Sequence, residues 1–118
     1  MQVSRELQRG STSILVLSLL ARENMYGYQL IKELERVSGG AFHLKEGTLY
    51  PILHSLEQDG LVSSYWEDTD TKRRRKYYLV TEKGKKALRS KTKEWGFFKS
   101  AVDRVLGGEI PCLALRII

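Results

Sequence analysis

Five consecutive cations, Lys72-Arg73-Arg74-Arg75-Lys76, stand directly before Tyr77-Tyr78-Leu79-Val80-Thr81. Such a row suits phosphate binding. Each cation that neutralises a backbone phosphate releases a condensed counterion, and the guanidinium fork matches phosphate oxygens two at a time. Upstream lies Glu46-Gly47-Thr48-Leu49-Tyr50-Pro51-Ile52-Leu53-His54-Ser55-Leu56. With Leu49, Ile52, Leu53 and Leu56 as the buried face of a helix, Thr48, Tyr50, Pro51, His54, Ser55 and Gln58 point outward, and Lys45 stands at its start. Hydroxyl, amide and imidazole groups on that face suit hydrogen bonds to base edges or to phosphate oxygens. The plain alternative for each is a solvated helix face. For the cationic run it is a charged hairpin tip that guards an edge strand against pairing. Five charges in five residues exceed that role.

Other chemistry finds little support. His43 and His54 are the two histidines and Cys112 the one cysteine, and neither histidine has a cysteine or paired carboxylates beside it in sequence, so the spacing offers no zinc site. No nucleophile–base pattern, phosphate-cradling glycine loop or nucleotide fingerprint is present, and neither an enzyme nor a cofactor is expected. Gly27, between Tyr26 and a helical stretch, reads as a turn glycine. A single cysteine allows no internal disulfide, which fits a reducing compartment. The apolar run at residues 14–21 is too short to span a bilayer, and the N-terminus lacks the layout of a secretory leader. The expectation is a cytoplasmic protein with no membrane contact.

The 118 residues carry 20 Lys and Arg against 14 Asp and Glu, a net charge of +6, and 42% are hydrophobic. That length bounds one domain with an extra helix. The basic balance favours nucleic acid, an anionic membrane or an acidic protein, and its placement on a helix–hairpin pair favours the first.

Four helices and one hairpin must position these groups. The first helix covers residues 4–21, with Ser11, Thr12 and Ser13 interrupting its apolar pattern, so that the helix either starts late or carries a polar stripe there. After Asn24-Met25-Tyr26-Gly27-Tyr28, the second covers residues 29–37 with Leu30, Ile31, Leu34 and Val37 on one face, and Ser38-Gly39-Gly40 stops it. The third helix opens near residues 45–47 and ends at Asp59-Gly60, but Pro51 is tolerated in a first helical turn, which argues for a start close to residues 48–50, capped by Gly47 or Thr48. Residues 61–66 and 76–81 read as strands around a polar loop at 67–75. Thr81 caps a last helix that runs to about Leu106, before Gly107-Gly108.

Along that last helix Leu88, Trp95 and Val102 are seven apart, and Lys91, Phe98 and Val105 fill the alternate heptad position, giving a coiled-coil-like seam with one polar member. A tryptophan at such a position usually forms interface core. The sharper alternative is a ligand platform, in which two symmetry-related Trp95 rings sandwich a flat apolar compound. The tail at 109–118 is apolar, and it reads equally as a segment packed on a partner, a frayed end or an extension foreign to the fold. Helix, helix, helix, strand, loop, strand is the order of a winged helix-turn-helix. The fold class is therefore mainly α with a small β-hairpin wing (α+β), plus a long C-terminal dimerisation helix. The expected divisions are a DNA-binding domain at 1–81, a dimerisation helix at 82–108 and the tail at 109–118.

Four segments in order, Met25-Tyr26-Gly27-Tyr28-Gln29-Leu30, Glu46-Gly47-Thr48-Leu49-Tyr50-Pro51-Ile52-Leu53, Leu56-Glu57-Gln58-Asp59-Gly60-Leu61-Val62 and Arg73-Arg74-Arg75-Lys76-Tyr77-Tyr78-Leu79-Val80-Thr81, resemble the PadR family of bacterial transcriptional regulators. The likeness spans residues 7–106, and the single C-terminal helix is similar to the short subfamily. It implies a homodimeric winged-helix repressor that binds palindromic double-stranded operator DNA. It also implies a dimer made by the last helix with the first, and release from DNA by small phenolic or multidrug-type aromatic compounds. In one multidrug regulator of the short subfamily a tryptophan of the last helix lines a drug pore between subunits, and Trp95 holds that place, with Phe97 or Phe98 able to fill it.

On this reading Lys45, Thr48, Tyr50, Pro51, His54 and Ser55 meet the DNA groove and Lys72, Arg73, Arg74, Arg75 and Lys76 the flanking phosphates. Trp95 and Phe98 are the candidate ligand residues. Leu15, Leu19, Leu88, Trp95, Phe98, Val102 and Val105 form the dimer interface. Two rivals stand beside it: a constitutive repressor with a closed seam, and a winged-helix module that docks another protein and reads no DNA sequence.

Overall fold

A computed structural model describes residues 1–107; the apolar tail at 109–118, with Cys112, and Gly108 lie outside the described residues. Along the chain stand α1 (Arg5–Gln8), α2 (Thr12–Arg22), β1 (Met25–Tyr26), α3 (Gly27–Val37), α4 (Glu46–Gln58), β2 (Val62–Asp68), β3 (Arg74–Val80) and α5 (Glu82–Leu106). Two compact units are formed, the first Met1–Leu88 and the second beginning at Arg89, so residues 82–88 of α5 belong with the winged unit.

The single first helix expected over residues 4–21 is two. Three donors converge on the Gln8 carbonyl: the Ser11 N–H at 3.0 Å, the Ser11 hydroxyl at 3.1 Å and the Thr12 hydroxyl at 2.9 Å. Serine and threonine hydroxyls compete with helical backbone donors in this way, and the chain turns there before α2 begins.

α4 also starts earlier than its proline suggests. Lys45 is the N-cap, its carbonyl accepting the Thr48 and Leu49 N–H groups at 3.0 Å each, and Pro51 falls inside the helix. Proline there forfeits the bond to the Gly47 carbonyl, but both residues are exposed, so the loss falls on the solvent side of the helix and not in the core. The start at Glu46 puts a carboxylate on the positive end of the helix and sets Leu49, Leu53 and Leu56 into the core. Each buried leucine contributes about 1.5–3 kcal/mol relative to exposure. They pack with Leu17 and Leu20 of α2, Leu30 and Leu34 of α3, Met25 and Val62. Val37, grouped with the buried face of α3 by its spacing, is 44% exposed at the helix end. Beyond it Gly39 and Gly40 take the left-handed conformation (φ 62° and 83°), and the Gly40 N–H reaches back to the Glu35 carbonyl at 2.8 Å.

The sheet is antiparallel with order β1-β3-β2. β1 was not visible as a strand in sequence: its two residues pair with Tyr78 and Tyr77, and two residues carry no periodicity. β2 and β3 are each longer than their apolar stretches. Glu67 opposes Arg75 and Asp68 opposes Arg74, with Arg74 Nε 3.4 Å from the Asp68 carboxylate. Opposite charges across a ladder extend it where hydrophobic alternation ends, and the loop contracts from residues 67–75 to 69–73. Thr81 caps α5 as expected, its hydroxyl accepting from the Gly84 N–H at 3.0 Å.

Candidate nucleic-acid interface

At about 100° per residue, α4 opposes its buried leucines with a crest of Gly47, Pro51, His54 and Gln58. Thr48 and Ser55 lie on one flank of the crest, Tyr50 and Glu57 on the other. Thr48, Tyr50, Pro51, His54 and Ser55 are all exposed. Among the described residues the side chains of Thr48, His54 and Ser55 hold no hydrogen bond, so their donors and acceptors are free for a partner. Tyr50 is only partly free. Its ring lies against Gly27, and burial, followed by the Glu46 carboxylate and Tyr78, pushes its phenol above the ordinary tyrosine value. The hydroxyl is therefore a hydrogen-bond donor throughout the physiological range.

The wing divides the five cations. Its tip is closed by the Lys72 N–H on the Thr69 carbonyl (3.2 Å) and by the Thr69 N–H and hydroxyl on the Arg73 carbonyl (3.0 and 2.5 Å). Lys72 itself has φ 64°, a left-handed conformation that favours glycine. From Arg74 onward the strand alternates faces. Arg75 lies 4.5 Å from the Tyr26 ring centroid, on the face where Tyr77 packs edge-on to Tyr26 (5.4 Å) and stacks on Tyr65 (5.6 Å). Arg74 lies 5.4 Å from the Trp66 ring, and Lys76 lies 5.4 Å from Tyr78 with its Nζ 3.7 Å from Glu57 of α4. The Glu57 carboxylate also accepts from the Ser64 hydroxyl at 2.5 Å. Glu57 thereby ties the helix to the wing, and Lys76 spends part of its charge on that joint. Tyr26 and Glu57 were not singled out in sequence. The period of two that puts Tyr77 on the Arg75 face is the signal for an aromatic bed, whereas nothing in sequence joins Glu57 to residues 64 and 76.

Of the residues assigned to a dimer seam, Leu19 is 3% exposed within the core of the winged unit and leaves almost no surface for a partner. Leu15 and Leu88 are half-buried against that core. The rest of the seam is exposed: Trp95 46%, Phe98 54%, Val102 36% and Val105 87%, with the Trp95 and Phe98 rings 5.7 Å apart. Among the described residues no group of three His, Cys, Asp or Glu side chains is placed to hold a metal ion, and no helix is long and apolar enough to cross a membrane.

Known proteins share this fold. The model of the transcriptional regulator PadR-like family matches residues 16–90. The chain is 35% identical over 105 residues to the transcriptional regulator Rv3488 of Mycobacterium tuberculosis, covering 89% of this chain and 92% of that protein. Among solved structures, a PadR family transcriptional regulator from Eggerthella lenta is 39% identical with a TM-score of 0.76, over 90% of this chain and 88% of that one. A transcriptional regulator from Clostridium thermocellum is 32% identical with a TM-score of 0.79, over 86% and 96% respectively. The chain therefore belongs to the PadR family and is a DNA-binding transcriptional regulator rather than an enzyme.

Proposed function

We propose that the protein is a homodimeric, sequence-specific repressor acting in the cytoplasm on a palindromic operator. In this reading α4 enters the major groove, which Thr48, Tyr50, Pro51, His54 and Ser55 meet, with the Tyr50 hydroxyl and Lys45 on phosphates. The wing holds adjacent phosphates through Lys72, Arg73, Arg74 and Arg75, with a lesser part for Lys76. The observation that carries it is the exposed, unengaged face of α4 beside arginines braced over aromatic rings, because a braced cation loses less freedom on binding.

The exposed stripe Trp95, Phe98, Val102 and Val105 supports self-association: an apolar row at heptad spacing on a helix face needs cover, and a twofold dimer supplies it. A flat aromatic compound taken up at Trp95 would shift the spacing of the two α4 helices, by no more than its differential affinity for the two states. The contact between the Trp95 and Phe98 rings favours a second reading, a closed seam and a constitutive repressor. The DNA test is footprinting upstream of the protein's own gene, where twofold-symmetric protection is expected and none would sink the proposal. Tryptophan fluorescence of a Trp66→Phe background, titrated with flat aromatic compounds, separates sensor from constitutive repressor.

A further inference from the structure

We propose that Arg5 and Arg9, with Lys45, form a second phosphate clamp, for the DNA strand that the wing does not hold. The proposal rests on the DNA-binding reading of α4 and the wing, and adds a contact surface on the N-terminal segment.

A cleft of about 570 Å³ runs along α4, bordered by Arg5, Gln8 and Arg9 on one side and by Lys45, Thr48 and Ile52 on the other. Its position relative to the wing follows from the helix. Glu57, which bonds Ser64 and approaches Lys76, is nine residues from Thr48 and so about 180° from it around the axis. The cleft and the wing therefore occupy opposite flanks of α4, with the crest of Pro51 and His54 between them. An α-helix with its side chains is about 10–12 Å across and the major groove about 12 Å wide, so a helix that fills the groove has one phosphate strand along each flank. The wing serves one. The other meets the cleft.

The charges in the cleft suit that strand. Arg5, Arg9 and Lys45 are exposed, and among the described residues none pairs with a carboxylate. His43, which also borders the cleft, is held by Glu35 at 2.6 Å. The N-terminal segment is fixed in place: the Val3 N–H donates to the Ala41 carbonyl at 2.8 Å, Gln8 Nε2 to the Val3 carbonyl at 2.8 Å, and the Thr12 hydroxyl to the Gln8 carbonyl at 2.9 Å. Arg5 and Arg9 stand four apart on that anchored turn, on one face, and present two guanidinium groups without ordering a loose arm.

The test measures affinity against salt for the intact protein on the duplex it selects from a randomised pool, beside Arg5→Gln/Arg9→Gln and Arg74→Ala/Arg75→Ala. Glutamine keeps most of the stems, and thermal melting confirms the fold; Arg5→Lys/Arg9→Lys is the charge-preserving control. The slope of log affinity against log salt is expected to fall by about 1.8 per protomer in the glutamine variant, about 0.9 for each lost phosphate contact, and to be kept by lysine. A folded glutamine variant with the wild-type slope, while the wing variant's slope falls, overturns the clamp and leaves the DNA reading standing. A wild-type protein that selects no duplex overturns both.

Discussion

The ring of Tyr50 in α4 rests on Gly27, the first residue of α3: a Cβ at position 27 would stand 2.8 Å from the Tyr50 oxygen and 3.0 and 3.1 Å from ring carbons. Gly27 has no positive φ to demand glycine. What it supplies is close approach, and it sets where the hydroxyl of the half-exposed Tyr50 points. Gly27→Ala should therefore swing the ring while leaving the fold intact, because the obstructing atoms end a flexible side chain. The expected result is a melting midpoint near wild type and operator binding weaker by roughly ten- to 150-fold per protomer, the worth of one hydrogen bond to a charged group at about 1.5–3 kcal/mol. Tyr50→Phe should match it. Unchanged affinity in both would remove Tyr50 from the interface.

A second glycine is structural. A Cβ at Gly84 would lie 2.0 Å from the Leu61 carbonyl oxygen and 2.7 Å from a Val80 methyl. These neighbours are backbone and packed core, so Gly84→Ala has to push the start of α5 off the sheet. A loss of about 1–3 kcal/mol in denaturant unfolding is expected, as for other overpacked sites. Wild-type stability would show that α5 begins differently.

Much of this was legible in sequence because periodicity and turn chemistry agreed. The leucines of α4, the glycine stop after α3 and the Thr81 cap each follow from local rules. Where the sequence misled, a longer-range term decided. The break between α1 and α2 depends on side-chain hydroxyls capturing the Gln8 carbonyl, and the early start of α4 on core registration outweighing a proline. β2 and β3 lengthen through charge pairs that alternation cannot reveal. At the interface, the exposure of Thr48, His54 and Ser55 followed from the buried leucines. The bracing of Arg75 by Tyr26 and the Glu57 joint did not, since both arise only when β1 and α4 meet the hairpin.

The wing gives a graded prediction. Arg74→Ala with Arg75→Ala should weaken binding to every duplex and flatten the salt slope by about 1.8 per protomer. Tyr26→Leu keeps both charges but removes the ring under Arg75, a cation–π contact of about 0.5–1 kcal/mol. It should lower affinity two- to fivefold with the slope unchanged. A flattened slope in Tyr26→Leu would mean that the ring governs whether Arg75 reaches phosphate at all.

Ser55→Ala and Thr48→Ala separate reading from holding. Where the hydroxyl reads a base, the loss should be about 1–3 kcal/mol at the operator and small on random DNA. An equal loss on both duplexes would reassign that hydroxyl to a phosphate.

The most direct test of sequence-specific regulation is binding of the purified protein to the DNA upstream of its own gene, against a scrambled duplex, across a salt series. A preference of about 10³ or more at physiological salt, with one dimer per palindrome, is the predicted result. Equal affinity for the two duplexes, vanishing together as salt rises, would contradict it.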